Sequence, residues 1–321
     1  MPAQDPAQAL VDELRRDLKD AARWLVYADW LTQQGDPRGE AIGLEHRLRE
    51  LGPQRGEAMR EQLEALLAGP RARILTELSA AMPEGELPEG VQIEWRHGFV
   101  VGLSYPLRLE DLEGLAVLLG HPQCRLLSRL SVAVPEDEVE EEEDFDYDDY
   151  DGSPQMHPIA EELVERLLEL DLDRITELAV EYTPLPAAGV RRLSSCAKLA
   201  GLVTLDLRYT NLDDEGLETL AASPYLAGVR SLHLQRNRIS ARGAKALAAG
   251  PWSRLRFLDL RDNRIGVDGA KALAGSPLLA GVETLRLYNK DVDAQGTRAL
   301  AESPHLAAPI RRYWTACWSS Q

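Results

Sequence analysis

Residues that could bind a metal ion are concentrated in one acidic stretch. Residues 144–152 read DFDYDDYDG, which places Asp144, Asp146 and Asp148 at the first, third and fifth positions of a twelve-residue calcium loop. Such a loop also needs Gly at position six and a bidentate Glu at position twelve, but this chain has Asp149 and Gln155 there. The pattern predicts weak, nonspecific divalent binding and assigns no calcium site.

Other residue types that support catalysis or metal binding lack the necessary spacing. The six histidines form no HExxH pair, and the three cysteines are far apart, with no CxxC. The glycine patterns of nucleophile elbows, dinucleotide sites and P-loops are also missing. We therefore expect no cofactor, no metal and no enzymatic reaction. His97, in WRHGF, is the histidine to check, and a structural role beside a strand turn is favoured.

The negative charge of the chain belongs mainly to one segment. Residues 136–151 carry twelve Asp and Glu and no Lys or Arg, so without them the net charge changes from −17 to −5. Like charges and few apolar groups prevent this segment from packing a core of its own. The chain also has no apolar run near the roughly 20 residues needed to cross a bilayer and no signal pattern at its start, so we expect a cytoplasmic protein.

A fixed-period repeat organises the second half of the chain. LDLRYTNL, LHLQRNRI, LDLRDNRI and LRLYNKDV begin at intervals of 27, 26 and 27 residues, and related segments precede them. The segments begin at Val101, Leu130, Leu178, Leu205, Leu232, Leu258 and Leu285.

Each repeat has the same internal order of elements. The L-x-L step predicts a short strand whose leucines enter a core, with the intervening residue pointing outward. A Gly follows about eleven residues later, before an Ala/Leu stretch with helical spacing, and a recurring Pro ends that helix. The outward residues would be Asp206, His233, Asp259 and Arg286.

These repeats resemble the leucine-rich repeat family, and their length with a helix in every unit is most similar to the ribonuclease-inhibitor class. The resemblance covers roughly residues 98–310 and implies an α/β solenoid shaped as a horseshoe, with a parallel sheet on the concave face and helices outside. The chain departs from the family pattern at Thr183, Thr210 and Lys290, where Asn or Cys is usual, so we expect looser coils there.

The N-terminal block is expected to form a small all-α domain. Tyr27–Leu31 and 35–40 read YADWL and GDPRGE, which resembles the bacterial repeat-companion domain over about residues 5–50. The resemblance implies architecture and no reaction. Asp29, Arg38 and Glu40 invite a catalytic interpretation, but ion pairs that fix a helix-turn-helix are favoured. Trp24 and Trp30 cannot share one helix face, so one of them is expected to be partly exposed.

The predicted domain organisation has four parts. A companion domain spans 1–52, connecting helices split at Gly69 and Pro70 with a linker span 53–90, the solenoid with an acidic insertion at 135–155 spans 91–310, and a C-terminal cap spans 311–321. Trp95, Phe99 and Val101 are predicted to cap the solenoid at its start, and the cap at its end contains Tyr313, Trp314 and Trp318.

The outward positions of the later repeats predict an arginine-rich stripe, which suits recognition of carboxylate or phosphate. The leading hypothesis is a non-enzymatic scaffold or adaptor that binds a protein partner. The partner is expected to be basic if it binds the acidic loop. The alternatives are nucleic-acid or other anion binding masked by that loop, and an enzyme with a site near the domain junction. The predicted partner-binding residues are Arg208, His233, Arg236, Arg261, Arg286 and Tyr288, with Phe145, Tyr147 and Tyr150 in the loop; Trp252 is a candidate that could equally be buried.

Overall fold

A computed structural model describes residues 6–51, 56–135 and 160–319. The chain forms two compact units. The first contains residues 1–104 and 113–129, and the second contains residues 105–112 and 130–321. The acidic stretch, with Phe145, Tyr147 and Tyr150, lies outside the described residues.

The first unit is mainly helical and contains one antiparallel hairpin. Asp20 caps the second helix by accepting from the N–H groups of Ala22 and Arg23. That helix ends before Gly35, whose φ of +74° is a left-handed conformation that Gly adopts at little cost. The elements are α1 (Pro6–Arg16), α2 (Ala21–Gln33), α3 (Pro37–Leu51), α4 (Glu57–Ala81), β1 (Gln92–Arg96), β2 (Phe99–Pro106) and α5 (Leu112–Gly120).

Helix α4 corrects one prediction. It runs unbroken from Glu57 to Ala81, although the sequence predicts a split at Gly69 and Pro70. Proline removes one backbone donor, but the flanking Ala, Leu, Arg and Glu residues have high helix propensity, so the helix continues on both sides.

Aromatic side chains from α2 and the hairpin form the core of the first unit. Trp24, Tyr27 and Phe99 are at most 2% exposed, and Trp24 donates from Nε1 to the Leu18 carbonyl at 2.7 Å. Trp30 is half-buried and stacks on Tyr27, with ring centroids 5.7 Å apart. The prediction that one of the two tryptophans is partly exposed is therefore confirmed.

The second unit alternates strands and helices, as the repeats predict. Its strands β3 to β8 lie in sequence order in a sheet, and β4 to β8 pair in parallel. The elements are β3 (Arg129–Ala133), α6 (Ala160–Glu169), β4 (Glu177–Val180), α7 (Ala187–Ser195), β5 (Thr204–Asp206), α8 (Asp214–Ala221), β6 (Ser231–His233), α9 (Ala241–Ala249), β7 (Phe257–Asp259), α10 (Gly266–Gly275), β8 (Thr284–Arg286), α11 (Asn289–Ala301) and α12 (Ala308–Ser319).

The register of the sheet confirms the alignment of the repeats. Equivalent leucines of five successive strands are paired and buried, so each adds its apolar area to one continuous core. Gly243 marks the close approach of α9 to α8, because a Cβ atom there would lie 2.5 Å from Asp214 Oδ1. The paired leucines are Leu178, Leu205, Leu232, Leu258 and Leu285.

Serine hydroxyls add a second link between neighbouring repeats. Ser223, Ser276 and Ser303 each precede a Pro, are at most 4% exposed and donate to a carbonyl of the preceding repeat at 2.5 to 2.6 Å. The repeat between those of Ser223 and Ser276 has Gly250 at the serine position, and a Cβ atom there would lie 2.4 Å from Trp252 Nε1. Trp252 therefore fills the serine's place, is fully buried and cannot contact a partner.

At the end of the array, α12 buries Trp314 completely, as a cap requires. The other two aromatic residues of the predicted cap differ from it. Tyr313 is 57% exposed and Trp318 is 39% exposed, so Trp314 is the aromatic residue that covers the end of the core.

A ladder of buried side chains fixes the chain where it leaves each strand. The Asn237 Oδ1 atom accepts from the N–H groups of Thr210 and Leu212 at 3.2 and 2.8 Å. The Asn237 Nδ2 group donates to the Leu207 carbonyl at 2.7 Å. Asn263 makes equivalent bonds one repeat later. Each amide thus satisfies buried backbone groups of its own repeat and of the preceding one.

The two threonines belong to the same ladder, so the expectation of looser coils is wrong for them. Both are fully buried. The Thr210 hydroxyl donates to the Leu207 carbonyl at 2.9 Å, and the Thr183 hydroxyl accepts from the Val134 N–H at 3.0 Å. A hydroxyl is both donor and acceptor, so it can replace part of what an amide does.

In the last repeat, Asp291 takes the role in the ladder that the alignment assigns to Lys290. The Asp291 Oδ2 atom accepts from the N–H groups of Tyr288 and Asp262 at 2.9 and 3.1 Å, and Asp291 is 7% exposed. Burial raises the pKa of Asp291, although these two hydrogen bonds oppose the shift. A carboxylate one position later thus links the last two repeats.

We predict that Asn237→Ala lowers the free energy of unfolding by about 3 kcal/mol, because it leaves buried N–H and carbonyl groups without partners. Chemical denaturation of the intact chain measures this difference. Asn289→Ala is the matched control, since Asn289 begins α11 and no hydrogen bond of its side chain is described. Equal losses in the two variants would contradict a structural role for the ladder.

Candidate functional site

Eight side chains line a shallow pocket of about 290 Å³ beside the ends of strands β4 to β8. We call them the strand-end surface. They combine aromatic rings and arginines with one carboxylate and one amide. The residues are Tyr182, Arg208, Tyr209, Gln235, Arg236, Arg261, Asp262 and Tyr288.

Repeat register explains why these residues meet. Arg208, Gln235, Arg261 and Tyr288 each lie three residues after the paired leucine of their strand, in four successive repeats. Neighbouring strands in a sheet are about 4.8 Å apart. The four side chains therefore form one row across the strands.

A second row lies one position later in each repeat, and its residues adopt a costly backbone conformation. Tyr182, Tyr209, Arg236 and Asp262 have φ between +54° and +56°. Left-handed backbone costs a non-glycine residue about 1–2 kcal/mol. The N–H groups of Tyr182, Tyr209 and Arg236 donate to carbonyls of the next repeat at 2.9 to 3.2 Å, which holds the turn.

Two of the three aromatic rings of the surface are exposed. Tyr182 is 52% exposed and stacks on Tyr209, with ring centroids 4.6 Å apart and planes inclined by 25°. The Arg236 guanidinium lies 5.1 Å from the centre of the Tyr209 ring. Tyr288 is 42% exposed, and the Arg261 guanidinium lies 5.7 Å from its ring centre. Such stacking limits the motion of these side chains before a ligand arrives.

Carboxylates anchor the two central arginines. Arg208 Nε lies 3.0 and 2.9 Å from the two Asp206 oxygens, its Nη2 group also bonds Asp206, and Nε is 3.1 Å from Glu181 Oε2. Arg261 bonds Asp259 in the same way, with Nη2 at 2.6 Å. The hydrogen bonds that each guanidinium donates to its carboxylate raise the pKa of the guanidinium, so both arginines stay charged.

These pairs correct the prediction that Asp206 and Asp259 point out to solvent. They are 5% and 1% exposed, because the arginine two residues later lies against each carboxylate. Paired hydrogen bonds from Nε and Nη2 to one carboxylate satisfy the buried carboxylate and fix the plane of the guanidinium.

The predicted arginine stripe is a mosaic of both charges. Arg236 Nε lies 3.5 Å from Asp262 Oδ2, and Lys290 Nζ lies 2.6 Å from Asp262 Oδ1. Arg286 Nη1 lies 3.8 Å from Asp259. Thus Arg208, Arg236, Arg261, Arg286 and Lys290 all lie within 4 Å of a carboxylate oxygen.

Four of the predicted site residues line the pocket, namely Arg208, Arg236, Arg261 and Tyr288. His233 and Arg286 lie beside it on β6 and β8 and contact the Phe257 ring, with centre distances of 4.7 and 5.1 Å. Burial lowers the pKa of His233, although the charge of Asp206 opposes the shift.

Four of the lining residues are not among the predicted site residues: Tyr182, Tyr209, Gln235 and Asp262. A signal for them existed, because each occupies a position equivalent to that of a predicted residue in another repeat.

Three segments of the second unit match a family model described as Leucine Rich repeat: residues 202–221, 229–248 and 254–274. These segments are leucine-rich repeats. They contain β5, β6 and β7 and six of the eight residues of the strand-end surface. A comparison with curated proteins finds no match for this chain.

Two features are absent from the described residues. None of the helices in residues 6–51, 56–135 and 160–319 is long and apolar enough to cross a membrane. The same ranges contain no group of three or more His, Cys, Asp or Glu placed to hold a metal ion.

The N-terminal candidates do not converge on a common site. Arg38 is 5% exposed, and its Nε and Nη2 groups donate to Asp36 at 3.0 and 2.5 Å. Its guanidinium lies 4.0 Å from the Phe99 ring centre. Asp29 is exposed, and Glu40 accepts from Gln62 Nε2 at 2.9 Å. Arg38 therefore stabilises the turn between α2 and α3, and its carboxylate partner is Asp36.

His97 is buried in the first unit and contacts Glu45. Its Nδ1 atom lies 2.6 Å from Glu45 Oε2, and its ring centre is 4.5 Å from that of Trp24. Glu45 also accepts from Arg49 Nη2 at 2.9 Å. Burial alone would raise the pKa of Glu45, but the hydrogen bonds and charges of His97 and Arg49 outweigh it and lower this pKa to about 2.

We predict that Glu45 contributes stability at neutral pH that is lost on acidification. Its pKa falls from 4.5 to about 2 on folding. The stabilisation is therefore complete above about pH 5 and disappears as the pH approaches 2, a change of roughly 2–3 kcal/mol. Chemical denaturation at pH 2 to 6 should give a shallower decline for Glu45→Gln than for the unchanged chain.

Glu40→Gln is the matched control for this experiment, because Glu40 is exposed and contacts only Gln62 in the described hydrogen bonds. The control should decline with pH as the unchanged chain does. Identical slopes for Glu45→Gln and the unchanged chain would contradict the assignment.

Proposed function

We propose that this chain is a non-enzymatic scaffold or adaptor that binds a protein partner through the strand-end surface. Leucine-rich repeats generally mediate contacts between proteins, which supports this role. In this proposal the repeats form a horseshoe of the ribonuclease-inhibitor-like class with the strand-end surface on its concave face. Residues 5–50 serve as a repeat-companion domain that caps the array or adds a second contact.

The composition of the strand-end surface is the observation that carries the proposal. Tyr and Arg are the residue types that most often dominate protein interfaces. Here exposed tyrosines stand beside arginines held by buried carboxylates, so little side-chain freedom is lost on binding. Three of the four left-handed positions carry Tyr or Arg, where Gly or Asn would cost less. Strain retained in this way supports a functional role for the side chains.

The acidic segment 136–151 supplies a second element of the proposal. Its negative charge would speed encounter with a basic partner, and Phe145, Tyr147 and Tyr150 would provide aromatic anchors. A second role is to cover the strand-end surface until an anionic partner displaces it, and a third is a solvated spacer. Deleting the segment separates the three roles.

Nucleic-acid binding is the second candidate function, favoured only by the number of arginines. Phosphate binding needs cations that are not already neutralised. The pairing of Arg208, Arg236, Arg261 and Arg286 with carboxylates and the net charge of −17 both weaken it. A steep fall of RNA or DNA affinity with salt would support this candidate over a protein partner.

An enzyme with a site near His97 and Asp29 is the third candidate. His97 is buried against Glu45 and Trp24, so its ring is not open to a substrate as a general acid or base must be, whereas Asp29 is exposed. Leucine-rich repeats are typically non-catalytic interaction modules, which also favours the scaffold.

We predict that affinity capture from native lysate isolates a discrete protein that depends on exposed tyrosines of the strand-end surface. The intact chain should retain this protein across a salt series, and the double variant Tyr182→Asn with Tyr288→Asn should lose it. Asn is chosen because it tolerates the left-handed backbone at Tyr182.

Tyr313→Asn is the matched control, because Tyr313 is 57% exposed on α12 and does not belong to the strand-end surface. It should retain the partner. A chain lacking 136–151 loses the partner if the acidic segment recognises it and gains anionic ligands if the segment masks the surface. Equal capture by the intact chain and the double tyrosine variant would overturn the proposed function.

A further inference from the structure

The row of Arg208, Gln235 and Arg261 has unused hydrogen-bonding capacity of a defined pattern. Each arginine bonds its own aspartate through Nε and Nη2, and Arg261 also bonds the Tyr288 side chain, so each guanidinium still has N–H donors for another acceptor. Between them, the Gln235 Oε1 atom is buried and has no hydrogen-bond partner among the described residues. Leaving a buried acceptor without a partner is unfavourable. The row therefore offers two donors with one acceptor between them.

The spacing of this row suits one backbone conformation. Arg208 and Arg261 are two strands apart, which is about 9.6 Å at the usual strand separation. Side chains three residues apart in a polyproline II helix lie on one face and are about 9.3 Å apart. In a β-strand, residues on one face repeat at about 6.7 Å instead. A polyproline II peptide thus matches the two arginines, and an N–H between its two acidic residues is available to Gln235.

The tyrosines of the strand-end surface complete this match. Prolines of a polyproline II peptide dock against aromatic side chains because their conformation is already fixed. Tyr182, Tyr209 and Tyr288 supply such rings along the same direction. The span from Tyr182 to Tyr288 covers four strand intervals, or about 19 Å, which about six residues of polyproline II occupy.

The charge balance limits the ligand to a few acidic groups. Five cations on and beside the surface pair with four carboxylates: Glu181, Asp206, Asp259 and Asp262. One net positive charge does not suit a dense polyanion such as nucleic acid. Two carboxylates placed at the remaining N–H donors of two fixed arginines suit it well.

We propose that the strand-end surface binds a proline-rich segment of a protein partner in polyproline II conformation, with two acidic residues three positions apart. One carboxylate contacts Arg208 and the other contacts Arg261, a backbone N–H between them donates to Gln235 Oε1, and prolines contact the tyrosines. This inference rests on the proposed function and specifies the chemistry of its ligand.

Binding of synthetic blocked peptides, measured by fluorescence anisotropy, tests the proposal. The probe is PPEPLEPP, which places its two acids three residues apart. PPEPELPP has the same composition with the acids two residues apart, and PPQPLQPP has no acids. We expect the probe to bind about tenfold more tightly than either control peptide, which corresponds to the loss of one good pairing. An oligonucleotide of equal charge should bind no better than the control peptides.

Gln235→Met separates binding from folding. Gln235 Oε1 has no partner to lose among the described residues, so the midpoint of thermal unfolding should stay unchanged or rise. Affinity for the probe should fall about threefold to tenfold, since the peptide N–H loses its acceptor. Gln295→Met, on the exposed side of α11, is the matched control and should change neither quantity.

The intact chain is tested beside a chain in which a Gly/Ser linker of equal length replaces 136–151, so competition by the chain's own acidic segment is detected. Probe binding by either form, with the expected spacing and Gln235 dependence, supports the proposal. No binding by either form at 1 mM, or equal binding of the two spacing isomers, overturns it. If tyrosine-dependent partner capture survives such a result, the proposed function stands and only the ligand assignment fails.

Discussion

The buried ladder formed by Asn237, Asn263 and Thr210 is the constraint on which the rest of the second unit depends. Each amide bonds backbone groups of its own repeat and of the preceding one. The Thr210 hydroxyl bonds the Leu207 carbonyl of its own repeat and lies 3.2 Å from Asn237 Oδ1 of the next. The turn after each strand is therefore set by buried hydrogen bonds rather than by loop composition. Because the turn is fixed, the chain can carry Tyr, Arg and Asp in a left-handed conformation that an unsupported loop would avoid.

The surface built on this ladder derives its rigidity from charge pairing within a strand. Asp206 with Arg208 and Asp259 with Arg261 repeat one arrangement, in which a nearly buried carboxylate orients a guanidinium. The same pairing removes most of the net charge. Recognition by this surface must therefore depend on the positions of individual donors and rings more than on long-range attraction. That distinction favours a protein ligand with defined groups over a polyanion.

Much of this architecture could be predicted from periodicity alone. The L-x-L strands, the helices that end two or three residues before Pro224, Pro251, Pro277 and Pro304, and the position of the arginines all follow from the repeat. Alternation along a strand predicts an outward Asp206, but it cannot show that Arg208 covers that carboxylate. The burial of Trp252 depends on the absence of a side chain at Gly250, which only the packed structure reveals. His97 and Glu45 are 52 positions apart, so no spacing rule connects them.

The most direct test of the central claim is hydroxyl-radical footprinting of the intact chain with and without its captured partner, read by mass spectrometry at single tyrosines. The account predicts that oxidation of Tyr182 and Tyr288 falls on binding while oxidation of Tyr313 is unchanged, since all three are exposed in the free chain. Protection of Tyr313 with unchanged oxidation of Tyr182 and Tyr288 would contradict it and place the interface at the C-terminal helix.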